Sequence, residues 1–459
     1  MSAADVPETS GRPSPVTLRD PRDGTPRSRT VPARDDEVRE AVAEARHAQA
    51  DWAALTPGER GDRLSRLADA VEATAAKYVD AERAGTGKPE EEALAEIRNA
   101  TDLLRFYAGA GRTGLAPAGG RYLTGHESWV RWEPLGTVAA IVPWNYPLMM
   151  AVWRLGPALA AGNSVVLKPA LTTPDTALLL AADAQKALGP GVVRAVTGDR
   201  ETGRLLVRSA VDAVAFTGSV AGGVDVAARA GLRRVSLELG GNCPVVVLPD
   251  APGDSCREIV RACVYNAGQS CAAPARVITL RENHRRVVEG LADAMDDQRA
   301  GADFGPLNNP DQLARYDRIL SSSGAAFLHT APVAPQAEPK GYWRPGTVLA
   351  DLDDDDPAVR EEVFGPCLTV QRADSVEHAV ALANSTPMAL AASVWGGDAS
   401  RLLTVAGALD AGEVWVNCHL RQTAELPHGG RRGSGHGTDL STLALNEYQR
   451  PKTVTVRLS

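Results

Sequence analysis

The chain has 459 residues, 44% of them hydrophobic, and 49 basic against 57 acidic side chains leave it a formal net charge of -8. That length buries one or two substantial cores and predicts two or three domains. No excess of cations is available for a nucleic acid backbone or an anionic membrane. The most apolar stretch, Leu148 to Leu167, is broken by Arg154, Gly156, Pro157 and Asn163 well short of the roughly 20 residues that span a bilayer. Neither nucleic acid nor membrane is expected as a partner, and a cytoplasmic location is.

Residues 1–30, rich in Pro, Ser, Gly and charge with no apolar run, read as a tail or extended lead-in. From Asp35 to Tyr107, Ala, Val and Leu recur at three- and four-residue intervals among charges, the pattern of amphipathic helices. From Gly136 short apolar runs alternate with helical segments, beginning "TVAAIVPW", "MMAVWRLGPALAAG" and "SVVLKPA", which predicts a doubly wound parallel sheet. A second alternating block runs from "CPVVVLPD" to "EVWVNCH". The predicted class is therefore α/β, with one unit over 1–112 and 135–240, a second over 241–440, and a cleft between them. "ESWVRWEP" and the final "KTVTVRLS" alternate with period two and have no neighbouring strand, so 113–134 and 441–459 are assigned to a small protruding sheet suited to subunit contact. "DLDDDDP" (351–357) reads as a solvated loop.

The six cysteines, Cys243, Cys256, Cys263, Cys271, Cys367 and Cys418, include no C-x-x-C and no zinc-finger histidine spacing. Free thiols in a reducing compartment are expected, with no structural metal. Cys256 and Cys263 share one helical face and read as core. Cys271 differs: in "YNAGQSCAAPAR" it is flanked by small and polar residues that leave a thiol reachable.

Five other segments offer chemistry, each with a plainer reading beside it. "AFTGSVAGG" (215–223) follows a strand and opens a helix, as a pyrophosphate site does, but any strand-to-helix turn is open to glycine. Lys168, ending the strand of "VVLKPALTTP", is either a ribose ligand or a snorkelling surface lysine. Asn145, between Trp144 and Tyr146 in "AIVPWNYPLMM", is either an oxyanion donor or a capping residue. Glu238 in "SLELGGN" is a desolvated general base or an edge glutamate paired with arginine. "REEVFGPC" offers Glu362 and Phe364 ahead of a Gly-Pro turn, or is nothing more than a loop.

In this order and at these intervals the segments resemble the aldehyde dehydrogenase superfamily, from about Asp35 to Val456. The resemblance implies a Rossmann-like coenzyme domain, an α/β catalytic domain and a β oligomerisation element, taking the three divisions above in that order. It implies that Cys271 attacks the aldehyde carbonyl, that the Asn145 amide and the Cys271 N–H hold the oxyanion, and that Glu238 activates water against the thioester, with the thiol proton as a second task. NAD or NADP would lie against Trp144, Lys168, Gly218, Ser219, Gly223, Leu239, Glu362 and Phe364. A homodimer or homotetramer acting on a small-molecule aldehyde is implied, with a coenzyme-binding scaffold lacking turnover as the alternative.

Three positions depart from the family pattern. Leu171 stands where a glutamate often binds the coenzyme 2′-hydroxyl, which predicts weak discrimination between NAD and NADP. Asn242 replaces a lysine after "LGG", and the connection "DAMDDQRAGADFGPL" is shorter than usual. "LPHGG", where many relatives carry phenylalanine before the glycines, and residues 125–163 look most like the 4-aminobutyraldehyde branch. Asp102 and Tyr146 are the candidates for receiving an ammonium group, by ion pairing and cation–π contact. Betaine aldehyde, or another polar or biosynthetic aldehyde, is the competing substrate.

Overall fold

The structure is a computed structural model that describes residues 14–113 and 119–458. Residues 1–13 of the lead-in and 114–118 of the segment assigned to the protruding sheet lie outside the described residues.

Runs of Val, Ala, Ile and Leu with no exposed face make the first sheet. Its five parallel strands lie in the order Val193–Ala195, Ser164–Lys168, Thr137–Ile141, Ala213–Gly218 and Arg234–Leu239. Thr137–Ile141 and Ser164–Lys168 are buried at every residue, which requires cover on both faces. The amphipathic helices provide it. Pro57–Ala73, Glu90–Thr113, Pro147–Ala160 and Asp175–Leu188 pack on one side around Leu67, Leu104 and Leu155, and Asp35–Ala54, Arg200–Arg208 and Val220–Ala230 on the other around Val42, Leu206 and Val226. The chain winds outward in opposite directions from Thr137–Ile141 and Ala213–Gly218. The crevice at their carboxyl ends is thus the switch point at which open α/β sheets bind ligands.

The second sheet has seven strands, ordered Phe327–Thr330, Thr347–Ala350, Cys367–Ala373, Pro274–Leu280, Cys243–Val247, Ala391–Trp395 and Glu413–Val416; the first is antiparallel and the rest parallel. The two isolated alternating segments find each other: Gln449–Arg457 pairs antiparallel with His126–Pro134 in unbroken register, and Gly119–Gly120 lies on the far side.

Three sequence expectations need correction. Residues 14–30 are an extended lead-in and not a tail. Val16–Arg19 and Pro26–Thr30 form a hairpin tied down by Arg27 on Asp175 at 2.6 Å and by the Trp343 indole N–H donating to the Arg22 carbonyl at 2.9 Å. These bonds come from distant side chains, so local composition does not show them. The acidic run is not simply solvated. Asp356 is buried, caps Pro357–Arg360 by accepting from the Ala358 N–H at 2.7 Å, and accepts from Gly324 N–H as well. Of the paired cysteines only Cys263 is fully buried; Cys256 is half-buried. Among the described residues no helix is long and apolar enough to cross a membrane.

Candidate active site

The helix Ser255–Val264 ends in a tight turn whose residues explain the unusual texture around Cys271. Asn266, Ala267 and Gly268 all take left-handed backbone, with φ of 50°, 54° and 72°. For the two residues that carry a Cβ this costs on the order of 1–3 kcal/mol each, so the surroundings must enforce it. They do so through the amides: Asn266 Nδ2 donates to the Asn145 carbonyl at 2.9 Å, Gln269 Nε2 to Pro306 O at 3.3 Å, and Asn308 N–H to Gln269 Oε1 at 2.8 Å. A Cβ on Gly268 would collide with the Gly365 carbonyl. The turn delivers Cys271, half-buried, to the junction of two cavities of about 750 and 170 Å³ that both count it as lining.

Burial and the adjacent Glu238 push the Cys271 thiol up to about 12, with His428 acting in the opposite direction. Asn145 is buried beside it. One amide hydrogen is spent on the Gln269 carbonyl at 2.9 Å, which leaves the other for an oxyanion. Glu238 is fully buried near the end of Arg234–Leu239. Its partner is not the arginine of the plainer reading but His428, at 3.2 Å from Oε1, and Oε2 has no partner. Arg154 is also buried, donates to the Thr217 hydroxyl at 2.7 Å, and pairs with Asp439 at 2.8 Å.

On the side of the smaller cavity, Ser219 caps Val220–Ala230 by accepting from Gly222 N–H at 3.2 Å, so the helix N-terminus opens at the switch point. A Cβ at Gly218 would press on the Phe216 ring and one at Gly223 on the Leu239 side chain. Trp144 stands edge-on to Phe364 at 5.5 Å, and Phe364 is itself left-handed at φ 55°. Glu362 accepts from Gly241 N–H at 3.0 Å, and burial raises its carboxyl to about 7. Lys168 is no surface lysine. Its ammonium is buried, donates to the Pro169 carbonyl at 2.9 Å, and is lowered to about 8 by burial against a weak pull from Asp199. A buried ammonium with hydrogens to spare, bare glycine backbone at a helix start and a carboxylate in the cleft fit the ribose hydroxyls and pyrophosphate of a nicotinamide dinucleotide. When bound, that coenzyme supplies the hydride acceptor.

Gly240 tests the assignment of Glu362. A Cβ there would overlap the Glu362 carboxylate, so Gly240→Ala should displace it and weaken coenzyme binding about tenfold, a loss of roughly 1.4 kcal/mol, in a fluorescence titration. Unchanged affinity would remove Glu362 from the coenzyme site.

The larger cavity is lined by Asp102, Glu258 and Glu425 among its acids and by Arg261 and Arg421. Asp102 is exposed on Glu90–Thr113 and faces this cavity, while Tyr146 is buried in its wall. Lys88 Nζ already lies 4.8 Å from the Tyr146 ring centre, and Tyr265 stacks at 6.5 Å, so the cation–π capacity of that ring serves an internal lysine. Asn242 is buried and donates to the Val359 carbonyl at 2.7 Å, a contact that a short amide makes and a long ammonium would overrun.

Sequence reasoning missed His428, Glu413, Gln422 and His419. His428 is buried between Glu238 and Glu413, with Glu413 at 2.9 Å and Gln422 Nε2 also at 2.9 Å from Nδ1. The one available signal was a histidine before the paired glycines of "LPHGG". His419 lies between the Ala272 carbonyl and the Ser393 hydroxyl, each at 2.8 Å, and burial lowers it to about 4, so it is neutral.

A coenzyme crevice that meets a second cavity at a thiol, with a carboxylate behind it, defines an oxidoreductase. Residues 8–454 match the model described as the aldehyde dehydrogenase family, and the chain belongs to that family as a nicotinamide-coenzyme-dependent enzyme. A betaine aldehyde dehydrogenase of Brucella anthropi is 35% identical, over 100% of this chain and 96% of its own. Among solved structures, an indole-3-acetaldehyde dehydrogenase of P. syringae with NAD+ bound superposes with a TM-score of 0.92 at 32% identity, covering 97% of this chain and 93% of that one. An E. coli NADP-dependent enzyme gives 0.92 at 30% identity, over 97% and 95%. Either NAD or NADP fits the crevice.

Proposed function

We propose that this enzyme oxidises an ω-aminoaldehyde such as 4-aminobutyraldehyde to its carboxylate through a thiohemiacetal and a thioester on Cys271. The observation that carries the substrate class is the charge of the larger cavity. Glu258 is taken up by Arg261 at 3.0 Å and Arg421 at 3.8 Å, whereas Asp102 and Glu425 enter none of the ion pairs among the described residues. Two carboxylates without cations lie along the approach to the thiol. An ammonium at the far end of a short aldehyde would meet them as its carbonyl reached Cys271.

Reduced nicotinamide formation with 4-aminobutyraldehyde, betaine aldehyde and a neutral aldehyde of equal length tests this. The amine should be preferred, and Asp102→Asn with Glu425→Gln should lower its kcat/KM about tenfold while leaving the neutral aldehyde unchanged, as expected of two exposed charges worth roughly 0.5–1 kcal/mol each. Preference for the neutral aldehyde would end the aminoaldehyde reading. Betaine aldehyde carries its cation closer to the carbonyl and has the Brucella relative in its favour; preference for it would move the assignment there.

Leu171 places no carboxylate where a 2′-phosphate would be repelled, so efficiencies with NAD and NADP should lie close together. A ratio in the hundreds would refute that. We assign coenzyme binding to 1–112 and 135–240, catalysis to 241–440, and subunit contact to 113–134 with 441–459. The open edge offered by Gln449–Arg457 suits pairing with another copy as a dimer or tetramer in the cytoplasm, with light scattering of the purified protein as the check on assembly.

A further inference from the structure

His428 is held more firmly than a cavity-lining side chain requires. Its backbone bridges Asp439 in both directions, at 2.8 and 2.7 Å, and its ring meets the edge of Trp153 at 5.1 Å. Nδ1 faces both Glu413 and Gln422 Nε2 at 2.9 Å; with Nδ1–H donating to Glu413, the Gln422 amide donates to the same carboxylate at 3.0 Å rather than to the ring. On the other side Nε2 faces Glu238 at 3.2 Å, and donor atoms of His428, Glu238 and Cys271 all fall within 4.8 Å of one another. The titratable groups facing the ring are thus Cys271, Glu238, Glu413 and Asp439, the last paired with Arg154.

We propose that His428 is a fixed cation shared by Cys271 and Glu238: anchored at Nδ1 by Glu413, its imidazolium pairs with the Glu238 carboxylate at rest and with the Cys271 thiolate once the thiol proton has moved to Glu238. The proposal rests on Cys271 being the nucleophile. In the step, the S–H bond breaks with its electron pair left on sulfur, and an O–H bond forms on Glu238. The negative charge moves from carboxylate to sulfur while the cation between them stays in place, so the net charge of the buried cluster is unchanged and the moving charge faces the cation at both ends of the step. Glu238 then releases its proton to solvent and is free to take one from the water that cleaves the thioester. The thiolate expelled at that point again faces the imidazolium. Burial alone would lower His428, but hydrogen bonds to Cys271, Glu238 and Glu413 outweigh it and raise the imidazole well above its ordinary value, the direction a cation shared by these groups requires.

The test is the pH dependence of iodoacetamide alkylation at Cys271 in coenzyme-free protein, read residue by residue by mass spectrometry, for wild type, His428→Phe and His428→Gln. Loss of the cation should move the thiolate limb upward by about one pH unit or more and slow alkylation at neutral pH about tenfold in both variants. A glutamine that restores the wild-type profile would show that shape and hydrogen bonding suffice, and would overturn the proposal. Should removal of the cation unfold the chain by stranding Glu413, the double variant His428→Phe, Glu413→Gln removes both charges. Its profile must also shift, and superposition on wild type would overturn the proposal. If alkylation of Cys271 leaves turnover intact, the nucleophile assignment fails and this inference with it. If it abolishes turnover but the limb ignores residue 428, only this inference fails.

Discussion

Replacing Cys271 by alanine should lower aldehyde turnover by at least about a thousandfold and leave coenzyme affinity within about twofold of wild type. The asymmetry follows from the thiol's position. Cys271 lines both cavities, but the groups that hold the dinucleotide in this reading, Lys168, Ser219, Glu362 and the glycine backbone between them, do not hydrogen-bond through it. Without the sulfur no C–S bond forms, and the carbonyl carbon cannot present its hydride from a tetrahedral oxyanion held by Asn145. The turn should survive the substitution. Its left-handed residues are fixed by Asn266, Gln269 and Asn308, and the removed thiol donates no bond that shapes them. Steady-state rates beside a fluorescence titration with NAD and NADP measure both halves. Turnover surviving in the alanine variant would place the nucleophile elsewhere, and a matching loss of coenzyme affinity would show that the variant had collapsed the crevice.

The parts of this site that were legible in the sequence are those whose neighbours in space are also neighbours in the chain. Asn145 is framed by Trp144 and two prolines, Glu238 precedes two glycines, and Cys271 follows its own scaffold residues; each carries its context within a few positions. Strands without a polar face announced a covered parallel sheet for the same reason, since burial on both sides is written into each run. Long-range pairings left no such trace. His428 reaches Glu238 and Glu413 only after both sheets have formed, and a lone histidine before two glycines carries no mark of two carboxylates. The hairpin of residues 14–30 is pinned by Asp175 and Trp343 rather than by its own apolar content, so its composition reads as a tail. Tyr146 was legible as aromatic and near the nucleophile, but not as already facing Lys88.

Glu238→Gln should separate the two halves of the reaction. The first turnover should still yield close to one equivalent of reduced nicotinamide per Cys271, after which the steady state should fall about a hundredfold to a thousandfold as the thioester accumulates. Glutamine keeps the size of the side chain and a hydrogen-bonding atom toward His428, so the strand and the 3.2 Å contact can persist. It cannot accept a proton from water, and the neighbouring carboxylates are engaged elsewhere: Glu413 on the far side of His428, and Glu362 with the Gly241 N–H. The burst itself should slow by less than the steady state. The imidazolium of His428 is still present to favour the thiolate, and the thiol proton can leave to solvent through the larger cavity. Rapid-mixing absorbance for the burst and mass spectrometry of the quenched protein for an acyl group on Cys271 read the two effects separately. A variant with full steady-state turnover would remove Glu238 as the base for hydrolysis. One with neither burst nor acyl adduct would show that its indispensable task is the thiol proton, and the water would then need another acceptor.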